Sequence, residues 1–238
     1  MRDRYQVITF DVGLTLVAMD SFTTILCRVC QDLGLPADPA VWDRAVDDVW
    51  ADVMRGDATT AYEASEEASR AWWRDVNLRT FARAGLPRQH WEAVESLFMA
   101  GVDDPASYSL FPDSIPTLAA LRTAGYRLGL ISNWGWNLPE LCESWGLASR
   151  VDFITASARV GYAKPNRRIF EAALQQAGTA ASGMLHVGDS HYADVGGARG
   201  AGIDAILVNR DSQPAPTDCH TVADLRELLP LLALPPAN

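Results

Sequence analysis

The chain has 238 residues, 48% of them hydrophobic, and its 30 acidic residues against 20 Lys and Arg give a formal net charge of -10 at pH 7. This length accommodates one large domain or a domain that carries a smaller one, and it can bury a core without disulfides or structural zinc. The acidic balance argues against nucleic acid or an anionic membrane as the main partner. A phosphate or carboxylate ligand stays compatible with it if a metal ion or a local lysine reverses the field.

Neither end of the sequence predicts an export signal or a membrane anchor. The first eleven residues, MRDRYQVITFD, are too charged and their apolar run is too short for a signal peptide. Pro230 and Pro235 interrupt the apolar stretch near the other end, so no segment reaches the length of a membrane-spanning helix. We therefore expect a cytoplasmic protein that binds neither membranes nor nucleic acid.

Short apolar runs that end in polar or glycine residues recur along the chain and predict β-strands. They cover residues 6–10, 127–131, 152–155, 184–187 and 203–208. Helical patterns alternate with the later runs, over residues 113–124, 138–145, 167–177, 192–201 and 222–229. Near-continuous apolar strands that alternate with helices are typical of a parallel sheet buried on both faces. The predicted fold class is therefore α/β, with a doubly wound parallel sheet.

The stretch from about residue 20 to residue 108 has a different pattern, with no convincing strand. Apolar residues at helical spacing predict about four amphipathic helices inserted after the first strand. Five of the eight tryptophans lie here, at positions 42, 50, 72, 73 and 91. They either pack the core of a small helical bundle, or one or two of them line a ligand pocket.

Cys27 and Cys30 form a CxxC pair within the first of these helices. Such a pair is redox-active in some proteins and half of a zinc site in others, but a complete zinc site needs about four ligands and no second pair lies nearby. Both cysteines fall on the apolar stripe that includes Ile25, Leu26 and Val29. We therefore expect buried thiols on the core face of a helix.

Chemically reactive side chains follow four of the predicted strands. They are Asp11 after the first, Ser132 and Asn133 after the second, Lys164 after the third, and Asp189 with Asp194 after the fourth. Each alone is an ordinary turn, cap or surface residue. Ligands of an open parallel sheet bind beyond the carboxyl ends of its strands, where these residues would converge. Their order and placement therefore predict one site at this edge of the sheet.

Four motifs make the sequence similar to a known family. They are DVGLT at residues 11–15, ISN at 131–133, GYAKPNRRIF at 161–170 and HVGDSHYADVGGARGAG at 186–202. Together they resemble the haloacid dehalogenase superfamily of hydrolases, in the branch with a helical cap after the first strand. The resemblance implies a Rossmann-like core formed by residues 1–17 and 112–238 and an α-helical cap domain formed by residues 18–111.

The resemblance also implies a phosphatase mechanism, in which Asp11 attacks phosphorus and water hydrolyses the aspartyl phosphate. The implied catalytic residues are Asp11, Lys164 and Ser132. The implied phosphate-binding residues are Ser132, Asn133 through its backbone, Lys164 and Thr15, which would orient the first loop. The implied ligands of Mg²⁺ are Asp11, the backbone carbonyl of Gly13, Asp189 and, directly or through water, Asp194. The substrate would be a small phosphorylated metabolite, with the cation and Lys164 offsetting its charge.

One position departs from the family pattern. The phosphatases of the family carry a second Asp two residues after the nucleophile, and this Asp protonates the leaving alkoxide and later activates water. Here the position is Gly13, which has no side chain to carry a proton. General acid–base catalysis is typically worth about 10²–10⁴-fold, so its loss affects esters with poor leaving groups most.

Three functions are compatible with Gly13. The first is a phosphatase that is slow, or restricted to good leaving groups such as acyl and aryl phosphates, or that takes the proton from Asp20 or His191. The second is a 2-haloacid dehalogenase, whose halide needs no proton; dehalogenases of the family, however, use no metal and lack the acidic pair of Asp189 and Asp194. The third is a fold that has lost catalysis and binds a ligand or partner. The retained acidic pair favours the first.

Side chains near the motifs leave further alternatives. Trp134 and Trp136 either stack on a substrate ring or seal against the cap helices. Arg159, where members of the family often have Glu, is either a solvated surface residue or a cation that favours an anionic substrate. We expect His186 to lie in the core.

Overall fold

The structure is a computed structural model that describes residues 4–56, 61–210 and 217–235. In chain order its strands are β1 (Val7–Phe10), β2 (Val17–Met19), β3 (Tyr108–Leu110), β4 (Arg127–Ser132), β5 (Phe153–Ala156), β6 (Met184–Gly188), β7 (Asp204–Val208) and β8 (His220–Val222). Its α-helices are α1 (Phe22–Asp32), α2 (Pro39–Gly56), α3 (Glu66–Arg83), α4 (Trp91–Asp103), α5 (Ser114–Thr123), α6 (Leu138–Ser144), α7 (Ser157–Val160), α8 (Arg167–Ala177), α9 (Gly197–Gly200) and α10 (Leu228–Leu231).

Within the described residues, six strands form one parallel sheet in the order β5-β4-β1-β6-β7-β8. The central strand β1 places Phe10 opposite Leu130 of β4 on one side and Val187 of β6 on the other. Its residues alternate between two cores: Ile8 and Phe10 belong to one apolar cluster and Val7 to another, which includes residues of α8. The sheet is thus covered on both faces, and the predicted doubly wound α/β class is confirmed.

The five predicted strands are present, each within one residue of its predicted bounds. Strands β2, β3 and β8 were not predicted, because each has only three residues and shows no alternation that the sequence could reveal. β2 and β3 pair antiparallel, with Val17 opposite Leu110 and Met19 opposite Tyr108. In the chain, β2 precedes α1 and β3 follows α4. The ribbon therefore pairs the segment that leaves the sheet after β1 with the segment that returns to it before β4.

The predicted helix over residues 222–229 is wrong. Val222 ends β8, and a 3-10 turn at Leu225–Glu227 leads into α10. A capping box fixes this boundary: the Asp224 carboxylate accepts the Arg226 N–H at 2.8 Å, and the Glu227 side chain accepts the Asp224 N–H at 3.0 Å. The helix predicted over residues 192–201 starts as a π-helix at His191–Gly196 before it continues as α9.

The four expected helices between the first strands are α1 to α4, and we call them the inserted helices. Ser21 and Ser65 start α1 and α3, since their side chains accept the N–H groups of Thr24 and Ala68. Cys27 and Cys30 are buried free thiols on α1, as expected. The domain bounds 1–17, 18–111 and 112–238 stay a prediction. In the described parts of the chain, no helix is both long and apolar enough to span a membrane.

Candidate active site

The carboxyl ends of three neighbouring strands bring the reactive side chains together. Asp11 directly follows β1, Ser132 ends β4, and Asp189 directly follows β6. Because β1 lies between β4 and β6, these residues face one another across a single edge of the sheet. The Asp11 N–H donates to the Val187 carbonyl at 2.9 Å and so continues the ladder one residue beyond the strand.

Asp11 is almost fully buried, with 6% of its surface exposed. Its Oδ1 accepts hydrogen bonds from Ser132 Oγ at 2.9 Å and from Lys164 Nζ at 2.5 Å. Burial raises the pKa of Asp11, and the neighbouring Lys164 ammonium opposes that rise without cancelling it. The two hydrogen bonds to one oxygen fix the rotation of the carboxylate.

Lys164 is the cation at the centre of the site and is only 3% exposed. Besides Asp11, its Nζ contacts Asp194 Oδ1 at 2.6 Å. Burial disfavours the ammonium, but the two carboxylates outweigh it and raise the pKa of Lys164 above its usual value. Lys164 therefore stays protonated and neutralises part of the charge around it.

Asn133 holds the backbone of Lys164. Its Oδ1 accepts the Lys164 N–H at 2.6 Å, and its Nδ2 donates to the Lys164 carbonyl at 2.9 Å. This closed pair joins the end of β4 to the loop before α8. The side chain of Asn133 is thereby occupied by the backbone of Lys164.

Asp194 reaches the site from the π-helix that follows β6. Its Oδ2 accepts the Ser190 N–H at 3.0 Å, and it passes so close to Gly188 that a Cβ there would lie 2.2 Å from Asp194 Cγ. Burial works against the charge, but the Lys164 ammonium and the His186 ring hold the pKa of Asp194 below its usual value. Only glycine at position 188 permits this close approach.

Asp189 also lies in an environment that disfavours its charge. Burial, and then the charges of Asp11 and Asp194, raise its pKa from 3.8 to about 7. Thr15 Oγ1 donates to Asp189 Oδ1 at 3.3 Å, so Thr15 joins the loop after β1 to the loop after β6.

These three carboxylates form a group that fits a divalent cation. Asp11, Asp189 and Asp194 each offer an oxygen, and these oxygens lie within 4.8 Å of one another. Lys164 is one cation among three carboxylates, so negative charge is in excess when all three are ionised. Carboxylate oxygens are also the ligands that Mg²⁺ prefers. Gly13 lies two residues after Asp11 and lines the same cavity.

His186 is a site residue whose role the sequence did not reveal. It is buried in β6 as expected, but its Nε2 also lies 2.9 Å from Asp194 Oδ1 and its Nδ1 lies 3.0 Å from Thr9 Oγ1. A buried hydrogen-bonded chain thus runs from Thr9 through His186, Asp194 and Lys164 to Asp11. The pairing of His186 with Asp194 depends on the π-helical turn, which no local pattern predicts.

A cavity of about 550 Å³ opens above these residues, between the sheet edge and the inserted helices. Aromatic and sulfur-containing side chains contribute much of its wall: Met19, Phe22, Trp50, Trp73, Met99, Tyr108, Trp134 and Trp136. A Cβ at Gly13 would lie 3.4 Å from the Trp134 ring and 3.6 Å from Met19 Sδ. Apolar atoms therefore surround the position at which the family's phosphatases carry their acid.

A family model for haloacid dehalogenase-like hydrolases matches residues 6–202, which is most of the chain. The chain belongs to the haloacid dehalogenase-like hydrolase family. It is 34% identical over 176 residues to haloacid dehalogenase-like hydrolase domain-containing protein 3 of Mus musculus, covering 70% of this chain and 69% of that protein. It is 30% identical over 237 residues to the pyrimidine 5'-nucleotidase YjjG of Escherichia coli, covering 96% and 98% of the two chains.

Among solved structures, this hydrolase is similar to the magnesium-bound HAD-hydrolase YfnB of Bacillus subtilis, with a TM-score of 0.78 and 19% identity. The similarity covers 97% of this chain and 100% of the other. At that identity it shows the shared fold.

The structure does not bring either suggested substitute acid against Asp11. Asp20 lines the cavity, but its carboxylate pairs with Arg28 at 2.6 Å. His191 is exposed, and its Nε2 lies 2.9 Å from Asp218 Oδ1. Neither side chain has a described hydrogen bond to Asp11.

Arg159 contacts the loop after β4 that contains Trp134, Gly135 and Trp136, which we call the tryptophan loop. Its guanidinium pairs with Glu140 at 2.9 Å, donates to the Trp136 carbonyl at 2.8 Å and lies 5.0 Å from the centroid of the Trp136 ring. Its charge is therefore engaged at the loop and not directed at a bound anion.

Proposed function

We propose that this protein is a Mg²⁺-dependent phosphatase that hydrolyses a small phosphorylated metabolite through an aspartyl-phosphate intermediate at Asp11. The observation that carries the proposal is the buried group in which Lys164 contacts Asp11 and Asp194 at the floor of a cavity, with Asp189 beside them. Relatives whose names denote phosphatases or nucleotidases support the same class.

In the proposed reaction, an oxygen of Asp11 forms a bond to phosphorus while the bond from phosphorus to the leaving oxygen breaks. Water then attacks the same phosphorus, which releases phosphate and restores the carboxylate. Ser132 Oγ and Lys164 Nζ hold Asp11 in place before the attack. In this proposal Lys164, Ser132 and the Asn133 N–H bind the phosphoryl oxygens as charge develops on them.

The metal ligands in this proposal are Asp11, Asp189 and the backbone carbonyl of Gly13, with Asp194 as a direct or water-mediated ligand. Bound Mg²⁺ would supply neutralisation of the phosphoryl charge. Asp194 already accepts from Lys164, from the Ser190 N–H and from His186, so most of its capacity is used in positioning these groups.

Gly13 makes the proposed enzyme unusual, since the leaving group must depart without a proton from this position. The missing acid costs about 10²–10⁴-fold for poor leaving groups. We therefore expect slow turnover or restriction to good leaving groups. A binding protein that has lost catalysis, and a metal-independent 2-haloacid dehalogenase, are the alternatives; the group of three carboxylates around Lys164 disfavours the dehalogenase, because a halide displacement has no use for a cation site.

A substrate panel tests the proposal. Aryl, acyl and sugar phosphates and 2-haloacids are assayed with Mg²⁺ and with chelator, in the wild type and in Asp11→Asn. Metal-dependent phosphate release that the variant lacks is the expected result. Chelator-insensitive halide release would establish the dehalogenase instead, and no turnover of any compound would favour the binding protein.

A further inference from the structure

The active-site cavity is lined by aromatic side chains of the inserted helices that are only partly buried. The core of these helices has fully buried rings, Trp42, Phe81 and Phe98, which pack against α1 and one another. Phe22, Trp50 and Trp73 form a second group whose rings remain partly exposed to the cavity. Rings with part of their surface in a cavity can contact a ligand there.

These rings meet a second aromatic wall that comes from the sheet side. Phe22 stacks on Trp50 with ring centroids 5.8 Å apart, and Trp73 lies edge-on to Trp50 at 6.1 Å. Trp134 packs on Tyr108 at 5.5 Å and lies next to the position of Gly13. Both groups of rings line the cavity that contains Asp11, which therefore suits a flat apolar group attached to a phosphate there.

The volume of the cavity favours a ligand with a ring over smaller phosphorylated or halogenated compounds. About 550 Å³ falls within the range of pockets that enclose drug-sized ligands. An acetyl phosphate or a 2-haloacid would leave most of the aromatic wall in contact with water. A ring next to the phosphoryl group would cover more of that wall than these smaller ligands do.

Gly13 points to the same class of substrate by an independent route. Without an acid at this position, the leaving group departs as an anion, and a phenol is a far stronger acid than an alkyl alcohol. Trp134 and Met19 occupy the surroundings of Gly13 with apolar atoms, which suit a ring and not an alkoxide in need of a proton.

We propose that the substrate is a phosphate monoester of an aromatic hydroxyl group, with its ring held between the Trp50–Trp73 wall and Trp134. The inference rests on the proposed phosphatase function. The Asp11–phosphorus bond forms as the bond from phosphorus to the aryl oxygen breaks; the electron pair leaves on the phenolate, which takes its proton from water. A second water attacks phosphorus and releases phosphate.

Kinetics with Mg²⁺ give the first test. Phenyl phosphates with substituents that vary the acidity of the phenol are compared with alkyl phosphates and acetyl phosphate. We expect kcat/KM to rise steeply with phenol acidity, and phenyl phosphate to exceed alkyl phosphates by at least about 10²-fold. Phenyl phosphates no better than alkyl phosphates, with acetyl phosphate still hydrolysed, would overturn the substrate class and leave the phosphatase function intact. No turnover of any phosphate would overturn both.

Binding gives a second test that needs no variant and no turnover. Phenylphosphonate and methylphosphonate, which cannot be hydrolysed, are titrated with Mg²⁺ while tryptophan fluorescence is recorded. The aromatic ligand should bind at least about tenfold more tightly, because its ring stacks on aromatic side chains and the methyl group does not. Equal affinities would contradict the proposed ring site.

Variants of the cavity tryptophans test where the ring of the substrate binds. Trp73→Leu and Trp50→Leu should raise the KM for phenyl phosphate at least about tenfold more than the KM for acetyl phosphate. Trp91→Leu is the matched control, because Trp91 packs on Phe81 and donates to the Leu86 carbonyl away from the cavity. Equal effects on both substrates in the cavity variants would place the ring elsewhere and reject the assignment.

Discussion

Gly13 is the residue on which the chemistry of the proposed site depends most. Its backbone does not adopt a positive φ angle, and a Cβ there makes only ordinary contact with Trp134 and Met19. A larger side chain at this position therefore meets no backbone strain, and the missing acid can be tested by restoring it.

We expect Gly13→Asp to raise kcat/KM for alkyl phosphates by at least about tenfold, since general acid catalysis is worth about 10²–10⁴-fold where geometry is ideal. Gly13→Asn is the control, because it has the same size but no proton to donate. Rates are measured as phosphate release with Mg²⁺. Equal rates in the two variants would show that protonation of the leaving group is not what this site lacks.

Asp189 gives the protein a pH dependence that Mg²⁺ should abolish. Its pKa is raised from 3.8 to about 7 by burial and by the neighbouring carboxylates. Between these values the metal-free folded state holds a proton that the unfolded chain has lost, so the free energy of unfolding must fall as the pH rises from about 4 to about 7.

The test is urea unfolding in chelator across this window. We expect the wild type to lose stability towards neutral pH, and to lose more than Asp189→Asn, which has no such proton. Addition of Mg²⁺ above pH 7 should restore the wild type and not the variant. Parallel pH profiles for the two proteins would contradict the assigned cause.

Hydrogen bonds between residues that are distant in sequence hold the helices and loops around the site. Arg210, which follows β7, donates from its two terminal nitrogens to Asp113 at 3.0 and 3.1 Å and to the Thr15 carbonyl at 2.6 Å. Asp113 also accepts the Leu225 N–H at 2.7 Å. This buried group joins the loop after β1, the start of α5 and the turn before α10.

Asp113→Ala should therefore destabilise the fold by about 3–5 kcal/mol, because it leaves the Arg210 charge buried without its carboxylate. Glu171→Ala is the control: it removes an exposed pair with Arg167 on α8 and should cost less than about 1 kcal/mol. Chemical denaturation measures both. A loss from Asp113→Ala as small as that of the control would show that the group does not hold these elements together.

The strands and loops around the site show how much of its arrangement could be predicted from the sequence. Strand ends with Asp11, Ser132 and Asp189 could be predicted, because a parallel sheet aligns its carboxyl edges whatever the loops do. The contact of His186 with Asp194 could not, since it depends on a π-helical turn. Strand β8 could not either, because the apolar residues before Asp224 continue the spacing of the helix that follows.

At the scale of the whole molecule, the inserted helices and the sheet meet at the tryptophan loop. The Asn137 side chain donates to Asp103 of α4 at 2.7 Å, and a Cβ at Gly135 would lie 3.3 Å from the Trp73 indole nitrogen. On another side, the Tyr62 N–H donates to the Gly161 carbonyl at 3.0 Å. These contacts hold the inserted helices against the loops at the sheet edge that carry the site.

The transfer of a phosphoryl group to Asp11 is the central claim, and trapping that group tests it most directly. The protein is mixed with phenyl phosphate and Mg²⁺, quenched in acid within the first turnover and digested for mass spectrometry. We predict a phosphoryl group on the peptide at Asp11, which is absent with chelator and in Asp11→Asn. Phosphate release with this peptide unmodified, or with the phosphoryl group on another residue, would contradict the account.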